Sequence, residues 1–159
     1  MQIAPIQPAL TSDGQVQWFD QAVSFNTATG AEIWRQPLNY GCDYENTGNI
    51  TPGGVMYTFN CINAVTTAGA YIYRVGSGER YFPGIVSPDG TSLYAALDSG
   101  ELRKFQASNA ATVWTTPAIG AKSIVSMGSN GNIYVVRPAV DLLSVYDSNG
   151  NNIRDISLP

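Results

Sequence analysis

Turn signals recur along the chain at a near-constant interval, and each is followed at once by an apolar, aromatic-rich run. The four glycine-containing pairs are Asp13-Gly14, Gly53-Gly54, Asp89-Gly90 and Asn130-Gly131. Their second residues lie 40, 36 and 41 positions apart. Such pairs are strong signals of two-residue hairpin turns. A repeat of about 40 residues that holds four strands has the size of one propeller blade.

Within each repeat, short runs rich in Val, Ile, Tyr, Phe and Trp are separated by Gly, Asn, Asp and Ser. This pattern predicts four strands per repeat, and no window shows the apolar face of a helix. In the first repeat the predicted strands are residues 8–12, 15–19, 22–26 and 32–36. In the second they are residues 49–51, 55–59, 70–75 and 80–82, with residues 61–69 as an irregular insertion.

The predicted fold class is therefore all-β: a β-propeller of four four-stranded blades, closed alone or as half of a larger ring. We place an N-terminal extension at residues 1–7 and a single propeller domain at 8–159. The blades fall at about 8–45, 46–84, 85–121 and 122–159. Ile3 and Ile6 of the extension lie outside the repeat pattern and could add a strand to a neighbour.

A glycine followed four residues later by an aromatic ring marks the turn into the fourth predicted strand. Two repeats have the full pattern, Gly30 with Trp34 and Gly78 with Phe82. In the third, Ala110 stands in place of the glycine before Trp114, and in the fourth, Gly150 is followed by Arg154 instead of a ring. Glycine adopts the positive φ of a tight turn, and a large ring can cover the gap between neighbouring sheets. We therefore interpret the tryptophans (Trp18, Trp34 and Trp114) as packing groups between blades.

One of these segments is specific enough to suggest a family. Residues 26–38, Asn-Thr-Ala-Thr-Gly-Ala-Glu-Ile-Trp-Arg-Gln-Pro-Leu, resemble the repeat of the PQQ-like β-propellers, the quinoprotein alcohol dehydrogenase-like family, whose blades carry a Thr-Gly-x-x-x-Trp turn. Residues 89–102 are similar to the preceding part of that repeat. The resemblance covers residues 8–158 and implies the fold. It implies no single function, because the fold hosts enzymes, scaffolds and sensors.

The family's enzymes bind pyrroloquinoline quinone over a tryptophan, beside a calcium ion and a ring formed by two adjacent cysteines. Here the cysteines, Cys42 and Cys61, are 19 positions apart, so that ring cannot form. Quinoprotein dehydrogenases resemble eight-bladed barrels, whereas this chain supplies four repeats. The sequence also has no histidine, the commonest general base. We expect no catalysis and no organic cofactor; the alternative is a fragment of a quinoprotein-type dehydrogenase.

Charge and composition exclude two classes of partner. Eight Lys and Arg against 12 Asp and Glu give a net charge of −4, with no basic stripe for a phosphate backbone, so nucleic acid is not expected. No apolar run is long enough for a membrane span, so we predict no membrane insertion. Charged residues make up 13% of a chain rich in Asn, Thr, Ser and Gly, which favours an extracytoplasmic location: secreted, periplasmic or cell surface.

The two cysteines flank a predicted hairpin. Pairing centred on residue 53 sets Cys61 opposite residue 45, three residues from Cys42, so a disulfide is geometrically reasonable. Such a bond would also fit an oxidising compartment. The alternative is two buried thiols that behave as small hydrophobic groups. We predict the Cys42–Cys61 disulfide.

The loop at residues 40–46 is the predicted partner-binding segment. Tyr40, Asp43, Tyr44 and Glu45 place two aromatic rings and two carboxylates close together. Tyrosines on rigid scaffolds give contact area at small entropic cost, which suits binding to a protein or a glycan. The alternative is a plain connection between blades.

A calcium loop is a further candidate. Asp147, Asn149, Asn151 and Asp155 place oxygen side chains at relative positions 1, 3, 5 and 9 around Gly150. Hard cations select oxygen-rich turns of this kind. With two carboxylates only, an ordinary Asn-Gly turn explains the segment equally directly. Apart from this possible Ca²⁺ ion, no metal is expected.

The pattern as a whole favours a non-catalytic binding or assembly module of an extracytoplasmic, cell-surface or particle-associated protein. A structural filament or sheet subunit, with contacts made by blade edges, is a second alternative to the dehydrogenase fragment. Four blades in an open row leave two broad apolar faces exposed. Two copies would supply eight blades, so we expect a homo-oligomer.

Overall fold

The computed structural model describes residues 2–6, 9–10, 16–17, 21–26, 28–37, 48–51, 53–59, 61–75 and 79–159. Within these residues the chain is almost entirely β-structure, with one turn of 3-10 helix at Pro138–Val140. No helix in this part of the chain has the length and apolar character needed to cross a membrane. The all-β prediction is confirmed.

The strands follow one another in short, regular steps. They are β1 (Gln2–Ile6), β2 (Ala9–Leu10), β3 (Val16–Gln17), β4 (Gln21–Phe25), β5 (Glu32–Pro37), β6 (Gly48–Ile50), β7 (Val55–Thr58), β8 (Ile62–Thr66), β9 (Tyr71–Val75), β10 (Ile85–Val86), β11 (Ser92–Ala96), β12 (Leu102–Gln106), β13 (Thr112–Thr115), β14 (Ser126–Met127), β15 (Ile133–Arg137), β16 (Leu142–Tyr146) and β17 (Asn152–Ser157).

These strands pair as antiparallel sheets. The first sheet has the order β1-β4-β5, and β2 pairs with β3 apart from it. The second sheet is β6-β7-β8-β9, the third is β10-β11-β12-β13, and the fourth is β14-β15-β16-β17. Neighbours in the last three sheets are also neighbours in sequence, so each of these sheets is an antiparallel meander.

The predicted turn glycines close the first hairpin of the second, third and fourth sheets. Gly54, Gly90 and Gly131 have φ values of 76°, 71° and 79°, which favour glycine. In the second sheet Gly48 pairs with Thr58, so the hairpin is centred on residue 53 as predicted. The turn expected at residues 13–14 lies outside the described residues.

A β-bulge interrupts the pairing of the third and fourth strands in each four-stranded sheet, and of β4 with β5 in the first sheet. The residue left out of register on the outer strand is β-branched in every case: Ile33, Ile72, Val113 or Ile153. These side chains are 46–56% exposed. The outer strands therefore carry a repeated apolar position on the surface.

The core lies between successive sheets. Alternation along β11 sends Leu93 to one face and Tyr94 to the other. Leu93 packs in a buried cluster with Tyr57 of the second sheet. Tyr94 packs in another cluster with Ile133 and Val135 of the fourth sheet. Both faces of the third sheet are therefore covered by its neighbours.

The first sheet differs from the prediction. The sequence pattern predicts residues 15–19 beside the strand at 22–26, but the structure places β1, from the N-terminal extension, in that position. All five residues of β1 pair with β4, whereas β3 is two residues long and pairs with β2. A longer ladder satisfies more backbone groups, which accounts for the choice of partner.

The second sheet corrects the prediction for residues 61–82. The expected irregular insertion at 61–69 contains β8 (Ile62–Thr66), which pairs with β7 from Asn63 to Thr66. The outer strand is then β9 at Tyr71–Val75, whereas residues 80–82 contribute an isolated bridge between Tyr81 and Leu97. Gly69, with φ of 85°, makes the turn into the outer strand, so the landmark in this repeat is Gly69 with Tyr73 and not Gly78 with Phe82.

Candidate functional site

The linker that joins the second sheet to the third lies against a turn of the third sheet. The amide of Asp98 donates to the carbonyl of Arg80 at 3.0 Å, and the amide of Phe82 donates to the carbonyl of Ala96 at 2.8 Å. In an antiparallel meander, such linkers and the turns between second and third strands lie at the same end. The backbone hydrogen bonds fix the two segments side by side.

A cleft of about 390 Å³ opens between these segments. It is lined by Glu79, Arg80, Leu97, Asp98 and Ser99, and we call it the linker cleft. Among the lining residues, Glu79, Arg80, Asp98 and Ser99 are exposed. The lining of the linker cleft thus includes acidic, basic and hydroxyl-bearing residues. Residues of these types supply the polar groups that orient a ligand in a binding site.

One wall of the linker cleft is held by a hydrogen-bonded cluster. Arg103 donates to both carboxylate oxygens of Glu79, at 2.7 and 3.3 Å, and to Glu101 at 3.3 Å. The hydroxyl of Tyr81 also donates to Glu79, at 2.5 Å. The Arg103 guanidinium lies 5.8 Å from the centre of the Phe105 ring. The cluster ties linker, turn and strand together.

The electrostatics of this cluster favour an ionised Glu79. Hydrogen bonds from Arg103 and then from Tyr81 lower the pKa of the Glu79 carboxyl. Burial, followed by the hydrogen bond to Glu79, raises the pKa of the Tyr81 hydroxyl. Each group therefore stays in the protonation state that its hydrogen bonds require. This arrangement suits a structural role for Glu79, since a general acid or base needs a pKa near the working pH.

A second set of hydrogen-bonded polar residues lies at the end of the sheets that carries the linkers. Its centre is Asn63, which is 2% exposed. Its amide nitrogen donates to the Thr58 hydroxyl and to the Cys61 carbonyl, both at 3.0 Å. Its carbonyl oxygen accepts a hydrogen bond from the Tyr71 hydroxyl. These bonds fix the turn between β7 and β8, which carries Cys61.

The predicted partner-binding loop and one cysteine lie outside the described residues. These are Tyr40, Asp43, Tyr44, Glu45 and Cys42. Cys61 is described and is 1% exposed. The Cys42–Cys61 disulfide therefore stays a prediction.

The calcium candidates take part in turn and strand hydrogen bonds. Asp147 accepts from the side-chain amide of Asn151 at 2.9 Å and from the backbone amides of Asn151 and Asn149, at 2.9 and 2.8 Å. These bonds, the side-chain one first, lower the pKa of its carboxyl. Asp155 accepts from Ser144 at 2.6 Å and lies 3.6 Å from Arg137. Across residues 79–159 and the other described segments, no cluster of three or more metal-ligating side chains occurs. Calcium at Asp147 stays a prediction.

The structure also brings together residues that form a repeated contact between sheets. The indole nitrogen of Trp34 donates to the carbonyl of Thr67 in the next sheet at 2.9 Å, and that of Trp114 donates to Ser148 at 3.0 Å. The hydroxyl of Tyr73 donates to Ala107 at 2.6 Å. In each case an outer-strand side chain binds the turn before the outer strand of the following sheet. This fits the predicted role of Trp34 and Trp114 in packing, while Trp18 lies outside the described residues.

No family model matches the sequence. No curated protein matches it. The structure of streptogramin B lyase aligns with a TM-score of 0.68 at 12% identity, over 98% of this chain and 55% of that one. The fold is propeller-like.

A second propeller-like match is the crystal structure of a protein of unknown function from Bacteroides caccae. It aligns with a TM-score of 0.60 at 15% identity, over 87% of this chain and 54% of that one. The chain thus spans about half the length of each of these two structures. At these identities the likeness concerns the propeller-like fold alone.

The sequence patterns did not predict two features of this propeller-like fold. The cluster of Glu79, Tyr81 and Arg103 joins residues up to 24 positions apart through strand pairing. No local sequence motif predicts it. The Gly69–Tyr73 landmark does have a local signal. It lies 39 residues after Gly30 and 41 before Ala110, closer to the repeat period than Gly78 does.

Proposed function

We propose that the chain is a four-bladed, PQQ-like propeller unit that acts as a non-catalytic binding and assembly module in an extracytoplasmic, cell-surface or particle-associated protein. The observation that carries this proposal is the linker cleft. It combines exposed charged groups with a wall that the Glu79–Arg103 cluster holds rigid. Loops fixed on a rigid β scaffold are the usual location of binding residues.

The predicted binding loop is the second part of the same proposal. Along the chain, residues 40–46 fall between β5 and β6, as Glu79 and Arg80 fall between β9 and β10. Glu79 and Arg80 line the linker cleft. The partner would be a protein or a glycan with polar groups for the linker cleft and surfaces for the tyrosines.

A binding screen tests this function directly. The native chain is applied to glycan and peptide arrays beside the double variant Arg80→Ala with Asp98→Ala. Ser129→Ala, an exposed change in the turn between β14 and β15, is the matched control. We expect about tenfold weaker binding for the double variant and unchanged binding for the control. Equal binding by all three proteins would remove the linker cleft from the proposal.

The dehydrogenase alternative has its own readout. Pyrroloquinoline quinone and Ca²⁺ are added to the chain, and absorbance and dye-linked alcohol oxidation are followed. We expect neither a bound chromophore nor turnover. A chromophore with alcohol oxidation would overturn the non-catalytic proposal.

A structural filament or sheet subunit is the second candidate, and one observation favours it. Ile33, Ile72, Val113 and Ile153 repeat on the outer strands and are about half exposed, at 46–56%. Outer strands also present unpaired backbone groups, which can pair with other chains. Electron microscopy of the concentrated protein would show filaments or sheets if these edges make the contacts.

A further inference from the structure

Each junction between described sheets uses a carbonyl group in a turn as an acceptor. The carbonyl of Ala107 accepts from the hydroxyls of Tyr57 and Tyr73, at 3.1 and 2.6 Å. The carbonyl of Ser148 accepts from Lys104 and Trp114, at 3.1 and 3.0 Å. The donors come from the preceding sheet and the acceptor from the following one. The side-chain hydrogen bonds between the described sheets therefore always run from the earlier sheet in the chain to the later one.

Strand register identifies the corresponding donors in the fourth sheet. In the third sheet Tyr94 pairs with Lys104, which pairs with Trp114. In the fourth sheet the same positions form the series Tyr134, Val145, Arg154. Tyr134 and Arg154 thus occupy the places from which side chains reach the next sheet. Among the described residues, no hydrogen bond or ion pair engages Arg154, which is exposed.

The face that carries Tyr134 and Arg154 is apolar and incompletely covered. Alternation directs it away from Ile133 and Val135, which pack toward the third sheet. Its other members are Val136, Leu143, Val145 and Ile156. The equivalent tyrosines of the second and third sheets, Tyr57 and Tyr94, are 5% and 2% exposed. Tyr134, Val136, Leu143 and Ile156 are only half-buried.

The first sheet presents the complementary feature. Its turn at residues 26–31 corresponds to the turns that accept a side chain in the later sheets. A Cβ placed on Gly69 or Gly150 would meet the Trp34 or Trp114 ring at 2.9 Å. Among the described residues, nothing lies within 4 Å of a Cβ placed on Gly30. Within the described part of the chain, no sheet donates a side chain to this turn.

We propose that these two surfaces bind each other between two copies of this chain. The Tyr134–Arg154 face of one copy docks on the Gly30 turn of the second copy, and Arg154 donates to a carbonyl of that turn. Both surfaces belong to one chain, so two copies make both contacts at once and close a ring. This chain covers 54% and 55% of the two matched propeller-like chains, so two copies supply about the length of one of them. The inference rests on the assembly part of the proposed function.

Matched variants make this contact testable. Light scattering coupled to size exclusion measures the mass of the native chain, Arg154→Glu, Gly30→Phe and the control Gly131→Phe over a micromolar concentration series. Gly30 and Gly131 have φ values of 72° and 79°, and in the described part of the chain no atom lies within 4 Å of a Cβ added to either one. The two glycine changes therefore impose the same backbone strain, and circular dichroism checks that each variant is folded.

We expect a native mass of twice 17.0 kDa. Arg154→Glu and Gly30→Phe should raise the dissociation constant about tenfold or more, while Gly131→Phe leaves it unchanged. Because the contact is directional, mixing Arg154→Glu with Gly30→Phe pairs an intact donor face with an intact turn. The mixture should form more dimer than either variant alone.

Three results would overturn this proposal. They are a mass of 17.0 kDa at every concentration, an open-ended series of larger masses, and a dimer that Arg154→Glu and Gly30→Phe leave unchanged. Array binding by the linker cleft and the quinone assay are independent of these masses. Loss of the dimer and loss of the binding function can therefore be told apart.

Discussion

Replacing Gly150 with alanine tests how closely a turn must fit the ring that packs on it. Gly150 has φ of 87°, in the region that favours glycine. A Cβ at this position would lie 2.9, 3.1 and 3.1 Å from three atoms of the Trp114 ring. The ring has little freedom to withdraw, because its indole nitrogen is hydrogen-bonded to Ser148 at 3.0 Å. The new methyl group therefore meets both a backbone and a packing penalty.

The two penalties can be estimated separately. The left-handed conformation costs a non-glycine residue about 1–2 kcal/mol. Forcing an extra methyl group into a packed site costs about 1–3 kcal/mol. We expect Gly150→Ala to lower the free energy of unfolding by about 2–5 kcal/mol. Gly131→Ala, at φ of 79°, should incur only the backbone penalty, because no atom of the described residues lies within 4 Å of the added Cβ.

Thermal melts of Gly150→Ala and Gly131→Ala separate the packing penalty from the backbone penalty. For a chain of this size, about 1 kcal/mol shifts Tm by about 2–4 °C, so Gly150→Ala should melt about 2–12 °C below Gly131→Ala. In a Trp114→Ala background the two alanine substitutions should cost the same, because the ring is gone. Equal Tm values for Gly150→Ala and Gly131→Ala with Trp114 present would refute the packing argument.

The remaining predictions concern the two cysteines, the Glu79–Arg103 cluster and the calcium candidate Asp147. Alkylation without reductant should label neither Cys42 nor Cys61. Replacing both with serine should lower the free energy of unfolding by about 3 kcal/mol. Complete labelling of both cysteines under denaturing conditions would exclude the disulfide. The pKa of Glu79 is lower when folded than when unfolded, so its contribution is present above its ordinary pKa of 4.5 and lost as pH falls below that value. The stability difference between the native chain and Glu79→Gln should therefore shrink in urea melts at pH 3, and a difference independent of pH would contradict this. Asp147→Ala removes hydrogen bonds of the turn, so it should lower Tm by the same amount with and without Ca²⁺; calcium-dependent heat or a Ca²⁺-induced rise in Tm would instead establish a metal site.

Local signals account for the parts of the fold that the sequence predicts. The glycine turns at 53–54, 89–90 and 130–131 set the repeat, the strand positions and the β6–β7 register. A turn of this kind fixes the pairing on both sides of it, because side chains alternate along each strand. The same logic identifies Trp34 and Trp114 as contacts between sheets, since a ring four residues after a turn glycine repeats with the sheets.

Other features depend on contacts that no local pattern encodes. Both Gly69 and Gly78 can start an outer strand, and the pairing of β8 with β7 decides in favour of Gly69. The N-terminal strand β1 pairs with β4 although 14 residues separate them, because the longer ladder satisfies more backbone groups. The linker cleft likewise forms only after the sheets bring Glu79 and Arg103 together.

The sequence by itself thus determined the all-β class, the repeat of about 40 residues and the roles of Trp34 and Trp114 as bridges between successive sheets. Only the tertiary structure decided which strands fill the first and second sheets, and that Tyr73 is the bridge from the second sheet to the third. The sequence shows Arg154 as a departure from an aromatic pattern. The structure places it on the uncovered face of the fourth sheet, because burial of a repeated position depends on whether another sheet lies against it.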